Sequence, residues 1–597
     1  LHDQLADLEK LLAEHRQAVE LSPQTAQDLL ADIARAAEEA HLPTDPGELE
    51  AELERLSSGL VPMGLHVFGE EWNTDEVIRM VDGVLSGGLD DQMPAVEIMA
   101  GLKGLPDGAV EELPPPERAE LEAMALEPVH RGLSCDLPPE QITDVLGLQD
   151  LVRRGREVAA FFDHNEEWEG LHRGLCGLHV PARLGGDVIR TPSVMPSGSS
   201  IYQFDPRAVP SSIAMRRGAE IARGLKDAYR AENGTNPSFV GLILWGIETS
   251  RTQGEGYAQV LALLGVRLVD HPTPGHPRWE VIPTEELTGP RTDVVVTISG
   301  FFRDLFGNLI EELDDIFAAV AAMDEPEQIN PIRARAAVLE EALAARGIPE
   351  DQASQLATSR IFGPAPGLYA TDLTAIIESG AWNSTDDLTD HFVDGAQHLY
   401  GRNHHGDRIE GLYQEQLADV EVVSQVRSNN EYQITDLDHY FEFLGGMTSA
   451  AERFSGRTVP TLVCDTTARR VHVQTSAEAS RAGLYTRLLN PEWIEAIMAH
   501  GHRGVAEINE RTTNLVGMAA TTSGIGDWMF DAVFDTYIAD EQMRQRLTEA
   551  NPHATADLAA RLGEADRRGL WQASPERRQL LDEVQFDIDA DLEGVDD

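Results

Sequence analysis

Two long apolar runs constrain the fold more than anything else in the chain. Phe239-Val-Gly-Leu-Ile-Leu-Trp245 and Asp293-Val-Val-Val-Thr-Ile298 lack the polar–apolar alternation of a strand with one wet face. Runs of this kind belong to strands covered on both faces, as in parallel sheets. A third short run, Val266-Arg-Leu-Val269, reads as another strand. Helical spacing spans Tyr257–Leu264 and Leu305–Met323. Strands alternating with helices predict a parallel sheet whose ligands bind at the carboxyl ends of the strands. Those ends carry Gly246-Ile-Glu248 and Ser299-Gly-Phe-Phe-Arg-Asp304.

The fold class expected is therefore α/β and multidomain, largely helical around a central parallel-sheet region. Six segments follow from composition and periodicity. Residues 1–62 are helical, with Leu5, Leu8, Leu11 and Leu12 on one face. Residues 63–184 form a mainly helical domain, punctuated at Pro114-Pro115-Pro116. Residues 185–330 are the α/β domain with a Gly/Pro-rich entry loop, and 331–458 a mixed α/β region. Residues 459–581 form a helical C-terminal domain with a short strand pair at 459–475. The acidic tail 582–597 is expected to fray.

Charge narrows the function. There are 102 Asp and Glu against 47 Lys and Arg, a formal net charge of −55, with lysine only at Lys10, Lys103 and Lys226. Such a surface repels phosphate backbones and anionic lipid, which argues against nucleic-acid and membrane-surface roles. Acid spread along the whole chain suits a halophile's salty cytosol, where self-repulsion is screened, better than one acidic docking face on a mesophilic protein. Three scattered cysteines supply neither a disulfide framework nor a zinc site, so a reducing, cytoplasmic setting is expected. No run of 18 apolar residues is present. A Walker A motif is missing, so any nucleotide-driven work falls to a partner chain. Gly254-Glu-Gly256 is only the first half of a dinucleotide fingerprint.

Four stretches carry candidate chemistry. After the first strand, Glu248 and Glu255 are placed to bind a cation or accept protons, or else are a loop acid and a helix N-terminal acid. After the strand at 293–298, Arg303 suits a ligand carboxylate, or an internal contact with Asp304. Asp436, Asp438 and His439 precede Tyr440, Phe441 and Phe443, a mixture suited to a flat apolar ligand with polar edges; Asp436 also suits a helix N-cap. In Asn490-Pro-Glu-Trp493 and onward, Pro491 fits the first helical position. His500 and Glu507, seven apart, are expected on one helix face, with Gly501 and Gly504 allowing close approach. His404-His405 suits a metal or, more simply, a polar turn.

These segments, in this order, resemble the large subunits of cobaltochelatase and magnesium chelatase. The matching stretches are Gly64-Leu-His-Val-Phe-Gly69, Pro196-Ser-Gly198 through Tyr202 and Asp205-Pro-Arg-Ala-Val-Pro210, and Leu244-Trp-Gly246 through Gly254-Glu255. They continue through Ile298–Asp304, Arg360-Ile-Phe-Gly363, Pro366-Gly367 with Tyr369, and Asp438 with Tyr440-Phe441, Phe443 and Gly445-Gly446. Asn490-Pro491 with Trp493, Asp527-Trp528 and Asn551-Pro552 complete the set. The Tyr-Phe-x-Phe-x-Gly-Gly run leans toward the cobalt branch. Ser199-Ser200 stand where the family usually carries Arg-Asn. The family chain is about twice this length, so the likeness is to its C-terminal half, either a fragment or one product of a split gene.

The resemblance implies ATP-dependent insertion of Co²⁺ into a hydrogenobyrinic acid a,c-diamide during cobalamin synthesis. The alternatives are insertion of Mg²⁺ into protoporphyrin, or a half-chain that only binds macrocycle and partners. ATP, with its Mg²⁺, would be used by separate AAA+ and integrin-like subunits, and a split chain would need its N-terminal half. On this reading Glu255, His500, Glu507, Asp438 and His439 are acid/base or metal-delivery groups, with Glu248 and His500 as candidate metal contacts. Arg251 and Arg303 would pair with ligand carboxylates. Tyr202, Phe302, Tyr440 and Phe441 would wall the macrocycle.

Overall fold

The computed structural model describes residues 2–57, 65–87, 93–106, 108–201, 206–269 and 277–593. They fall into two compact units, each assembled from distant stretches of chain. The first comprises Leu1–Gln203, Arg481–Ile508 and Glu549–Asn551; the second comprises Phe204–Ser480, Asn509–Thr548 and Pro552–Asp597.

The first unit is helical. Leu8 and Leu12 of the helix His2–Leu21 are buried, as the spacing predicts. Helices Thr74–Gly87, Pro115–Leu133 and Leu146–Ala160 close a core around Val81, Leu85, Val129, Leu151, Val152 and Phe162. Each such side chain contributes about 1.5–3 kcal/mol relative to exposure.

The second unit is built on one eight-stranded sheet. Its strands are numbered in chain order: β1 (Phe239–Leu244), β2 (Asp293–Ile298), β3 (Ile361–Gly363), β4 (His398–Tyr400), β5 (His405–Arg408), β6 (Val422–Arg427), β7 (Thr461–Asp465) and β8 (His472–Thr475). Across the sheet the order is β8-β7-β6-β1-β2-β3-β4-β5. The five central strands, β7 to β3 in that order, are parallel, while β8, β4 and β5 are antiparallel additions at the two edges. The sheet is thus mixed, with a parallel heart.

Both apolar runs are covered on both faces. Phe239 and Ile243 of β1 point into one core with Leu356, Phe392 and Met447. Val240, Leu242 and Leu244 point into the other with Ile221, Tyr257, Leu261 and Leu313. Val266–Leu268 departs from expectation: it pairs antiparallel with Trp279–Val281 in a separate two-stranded sheet. Arg267 explains the departure, because its guanidinium is exposed and paired with Glu280 and Glu286, so this run cannot be covered on both faces. The strand pair at 459–475 exists as β7 and β8, but joins the main sheet. The acidic tail is helical through Pro575–Glu593, held by Leu581, Val584 and Ile588 at helical spacing.

The chain runs from β1 outward through β2 and β3, then returns to the other side of β1 as β6. The switch point therefore lies between β1 and β6, beyond whose carboxyl ends the ligands of open α/β sheets generally bind.

Candidate functional site

The candidate site is built from the residues that leave each parallel strand. Trp245 follows β1 and leads into the short helix Gly246–Thr252, which a tight turn joins to the helix Glu255–Leu264. This places Glu248, Arg251 and Glu255 at the end of β1. Arg427 ends β6, followed by Ser428; Asp465 ends β7. Arg251 Nη1 donates to Ser428 Oγ at 3.2 Å, bridging the switch point, while its Nε is buried with no hydrogen-bond partner among the described residues. The Trp245 indole N–H is also buried and has no partner among them. Arg427 pairs with Asp465 and donates to the Tyr432 carbonyl.

Two acids share this end of β1 in unlike settings. Glu255 is buried, and its Oε1 accepts from Arg217 Nε at 2.9 Å. Arg217 also donates to the carbonyls of Thr466, Ala468 and Arg469. Glu248 is equally buried but has only weaker donors: Thr252 Oγ1 at 2.9 Å, Thr249 Oγ1 at 3.3 Å and the Gly256 N–H at 3.3 Å. Burial, reinforced by the charge of Glu255, raises the Glu248 carboxyl to about 7. A Cβ on Gly256 would sit 3.1 Å from Glu248 Oε2, so glycine lets the carboxylate fold back against the next helix.

His439 meets Trp245 edge-on, with ring centroids 5.3 Å apart, and Tyr440 lies 5.1 Å from the same indole. His439 Nδ1 is 3.2 Å from Asp438 Oδ1 and 3.5 Å from Glu442 Oε2. Burial opposes a charged imidazole here, but Glu442 and Asp438 outweigh it and raise the His439 pKa. Burial also pushes the Tyr440 phenol up to about 12. Residues Tyr440–Gly445 form a turn of π-helix, a local widening found often at functional sites.

The structure thus brings Glu248, Glu255 and Arg251 to the carboxyl end of β1, with Asp438, His439 and Tyr440 on the segment packed against Trp245. Glu442 does not stand out in the sequence; its spacing of three from His439 on a helix is the available signal. Other expected site residues have different surroundings. Phe302 is fully buried in a core, packed on Phe306. Phe441 is fully buried against Gly517. Neither ring has a face left for a ligand. Arg303 takes the internal alternative: it donates to Asp304 and to the carbonyls of Pro364, Ala365 and Leu368, clamping the loop after β3. Asp436 is no helix cap; it accepts from Arg511 Nε at 2.9 Å. Tyr202 lies outside the described residues.

His500 and Glu507 belong to the first unit, and the expectation that they share a helix face fails. Gly501, at φ +53°, breaks the chain into helices Pro491–Met498 and His502–Thr521, and His500 sits in the turn between them. Its Nε2 accepts the Leu65 N–H at 2.9 Å. Glu507 pairs with Arg503 within its own helix. The adjacent segment is held by a residue that sequence reasoning missed: buried Glu167 accepts from the Gly69 N–H and sits 2.7 Å from His66 Nε2. Among the described residues no group of three or more His, Cys, Asp or Glu side chains is arranged to hold a metal ion, so Glu248 and His500 form no preassembled centre. His404 pairs with Asp407 in a polar turn.

The fold is that of an α/β protein with a topological switch point between β1 and β6. Comparison with known proteins makes this specific. The family model "CobN/Magnesium Chelatase" matches residues 1–578, and the chain belongs to that family. It is 30% identical to a magnesium-chelatase subunit of Chlorobaculum parvum over all of this chain and 50% of that protein. It is likewise 30% identical to the aerobic cobaltochelatase subunit CobN of Pseudomonas aeruginosa over 98% of this chain and 50% of that protein. The solved catalytic subunit of cobaltochelatase from Mycobacterium tuberculosis superposes with a TM-score of 0.90 at 29% identity, covering 98% of this chain and 51% of the other. The chain spans about half the length of these relatives.

Proposed function

We propose that the chain is the C-terminal, tetrapyrrole-binding half of a chelatase large subunit that inserts Co²⁺ into a hydrogenobyrinic acid a,c-diamide-type corrinoid in cobalamin synthesis. The observation that supports this reading is the convergence of Trp245, Glu248, Arg251, His439 and Tyr440 beyond the carboxyl ends of β1 and β6. Insertion replaces two pyrrole-type N–H protons by a dication that sheds its water. That task calls for proton acceptors of near-neutral affinity beside apolar surface. Glu248 and His439 are the acceptors, one proton each, and Arg251 faces a macrocycle carboxylate. Burial, reinforced by the charge of Glu255 fixed on Arg217, keeps the Glu248 carboxyl near neutrality.

Exposed Ile247, Leu305, Leu368, Tyr369 and Tyr432 follow β1, β2, β3 and β6, and supply apolar surface at this edge of the sheet. ATP hydrolysis, with its Mg²⁺, belongs to separate AAA+ and integrin-like subunits, and the upstream half of the large subunit completes the site. The setting is a cytoplasm of high salt, supported by the acid surplus; a thermal midpoint that rises through molar KCl would agree, and one that falls would not.

The experiment is chelation by the complete complex, with hydrogenobyrinate diamide and protoporphyrin as competing substrates. Faster turnover of the corrinoid with Co²⁺ is expected. Preference for protoporphyrin with Mg²⁺ would move the chain to the other branch, which its equal identity to a magnesium-chelatase subunit keeps in play. Glu248→Gln and His439→Gln are each expected to lower the chelation rate by about 10²-fold or more. Unchanged rates in both variants would remove the site from the chemistry.

A further inference from the structure

The proton-handling reading of the site leaves one buried carboxylate unused. Glu442 is fully buried within the π-helical turn Tyr440–Gly445. Its Oε1 accepts two hydrogen bonds from one residue of the loop after β3: the Thr371 N–H at 2.8 Å and Thr371 Oγ1 at 2.9 Å. That loop is itself clamped, because Arg303 holds its carbonyls and the Gly300 N–H donates to the Tyr369 carbonyl at 3.0 Å. Glu442 Oε2 therefore has a fixed position, and the group it meets is His439 Nδ1 at 3.5 Å. A carboxylate buried this deeply and engaged on only one oxygen is costly unless its other oxygen serves something.

We propose that Glu442 is a positioning residue: anchored on Thr371, it holds the His439 ring by Nδ1 and leaves Nε2 as the nitrogen that exchanges protons with a ligand. The inference rests on the reading of the site as the place where macrocycle protons are taken up. It assigns Asp438 and Glu442 different work. Asp438 is part-exposed beside the ring, so solvent screens its charge, whereas Glu442 acts from the interior, where its charge is felt more strongly. Among the described residues, these two carboxylates are the charged groups within reach of the imidazole. The element packed on it from outside its own helix, the end of β1, contributes the uncharged Trp245 ring. Half of the His439 side chain is exposed, and no hydrogen bond to Nε2 exists among the described residues. The proton balance is simple: Nε2 of the neutral ring takes one N–H proton from the macrocycle, and Nδ1 keeps its own, facing Glu442.

The test is an NMR titration of the full chain labelled at its histidine rings, with His439 assigned by its loss in His439→Gln. Glu442→Gln keeps both Thr371 hydrogen bonds but removes the charge. It is expected to lower the His439 pKa by about one unit or more, with Asp438→Asn lowering it less. A titration unmoved in Glu442→Gln would overturn the proposal. Should that variant fold poorly, Thr371→Val keeps the backbone donor and removes the hydroxyl. The ring ¹⁵N shifts should then show a loss of preference for the Nδ1–H tautomer, and an unchanged tautomer ratio would overturn it equally. The rate profile of the complete complex separates the two claims. If Glu442→Gln moves the NMR titration but not the pH dependence of chelation, Glu442 still positions His439, and it is the role of His439 in chelation that falls.

Discussion

The two ends of the central sheet differ in how completely they balance buried charge. At the amino ends the buried ions are matched. Arg360, before β3, forms a two-pronged pair with Asp293 at the start of β2, and donates to the Ala357 and Ser359 carbonyls. Arg291 holds both oxygens of Glu325 and three backbone carbonyls. With Arg291, Thr284 and Asn330 as partners, the Glu325 carboxyl falls to about 2. At the carboxyl ends the Glu248 carboxyl rises to about 7, and Trp245 and Arg251 each keep a buried N–H without a partner among the described residues. The carboxyl end also holds matched pairs, Glu255 with Arg217 and Arg427 with Asp465, but it alone carries a buried carboxyl raised to near neutrality beside the unpartnered N–H groups of Trp245 and Arg251 among the described residues. A sheet that only had to fold would gain by treating both ends alike, and the difference falls at the end where the proposed site lies.

The largest effect should come from breaking the matched end. Arg360→Ala leaves Asp293 buried without its counter-charge, and a loss of about 3–5 kcal/mol is expected in denaturant unfolding. A loss under about 1 kcal/mol would show that the amino end is no tighter than the carboxyl end. Acid should reveal the same network. Glu325 is depressed from 4.5 to about 2, so its contribution is complete above the unfolded value and disappears as pH falls from about 5 to about 2. On the order of 3 kcal/mol is at stake, and Glu325→Gln should flatten that part of the stability–pH curve.

Glu248 should behave in the reverse sense. Its carboxyl is raised from 4.5 to about 7, so the folded state keeps a proton that the unfolded chain releases. Stability contributed by the neutral group is intact below about pH 4.5 and declines as pH rises towards 7. Glu248→Gln removes the ionisation and should stabilise the protein at pH 8 by on the order of 2–3 kcal/mol, with little effect at pH 4. The same variant should be inactive in chelation. A destabilised Glu248→Gln protein at pH 8 would place Glu248 with the structural acids of the amino end.

Much of this contrast was legible from the chain alone, for reasons that differ by residue. The strands β1 and β2 announce themselves because all their side chains are buried and nearly all are apolar. With them comes the carboxyl-end position of Glu248, Arg251 and Glu255. The strand β6 does not announce itself. Ser424, Gln425 and Arg427 are as buried as the valines around them, and polar residues in a buried strand erase the hydropathy signal. Without β6 the switch point cannot be located. Phe302 and Phe441 mislead because an aromatic beside a functional loop has the same one-letter signature whether its ring faces the ligand or the core. His500 and Glu507 come together only by counting seven residues, which holds in an unbroken helix, and Gly501 breaks it. Glu167 is invisible in the sequence, and Glu442 offers only its spacing of three from His439, since what both do depends on loops far away along the chain.

The smallest expected effect tests the idea at its least conspicuous point. Gln425, in the middle of β6, is 2% exposed, yet neither its amide nitrogen nor its amide oxygen has a hydrogen-bond partner among the described residues. Leaving both unpaired opposes folding, and Leu fills nearly the same volume without that cost. Gln425→Leu should therefore be neutral or stabilising, by up to about 1 kcal/mol in the isolated chain. The comparison sharpens when a tetrapyrrole is added. If the unsatisfied groups beside the switch point exist for a ligand, bound macrocycle should raise the thermal midpoint of the wild-type chain more than that of Gln425→Leu. Equal shifts would make Gln425 a structural residue and shrink the poised set to Trp245, Glu248 and Arg251. Destabilisation by Gln425→Leu without ligand would mean that the amide is already served within the fold, and that the two ends of the sheet differ less than their charges suggest.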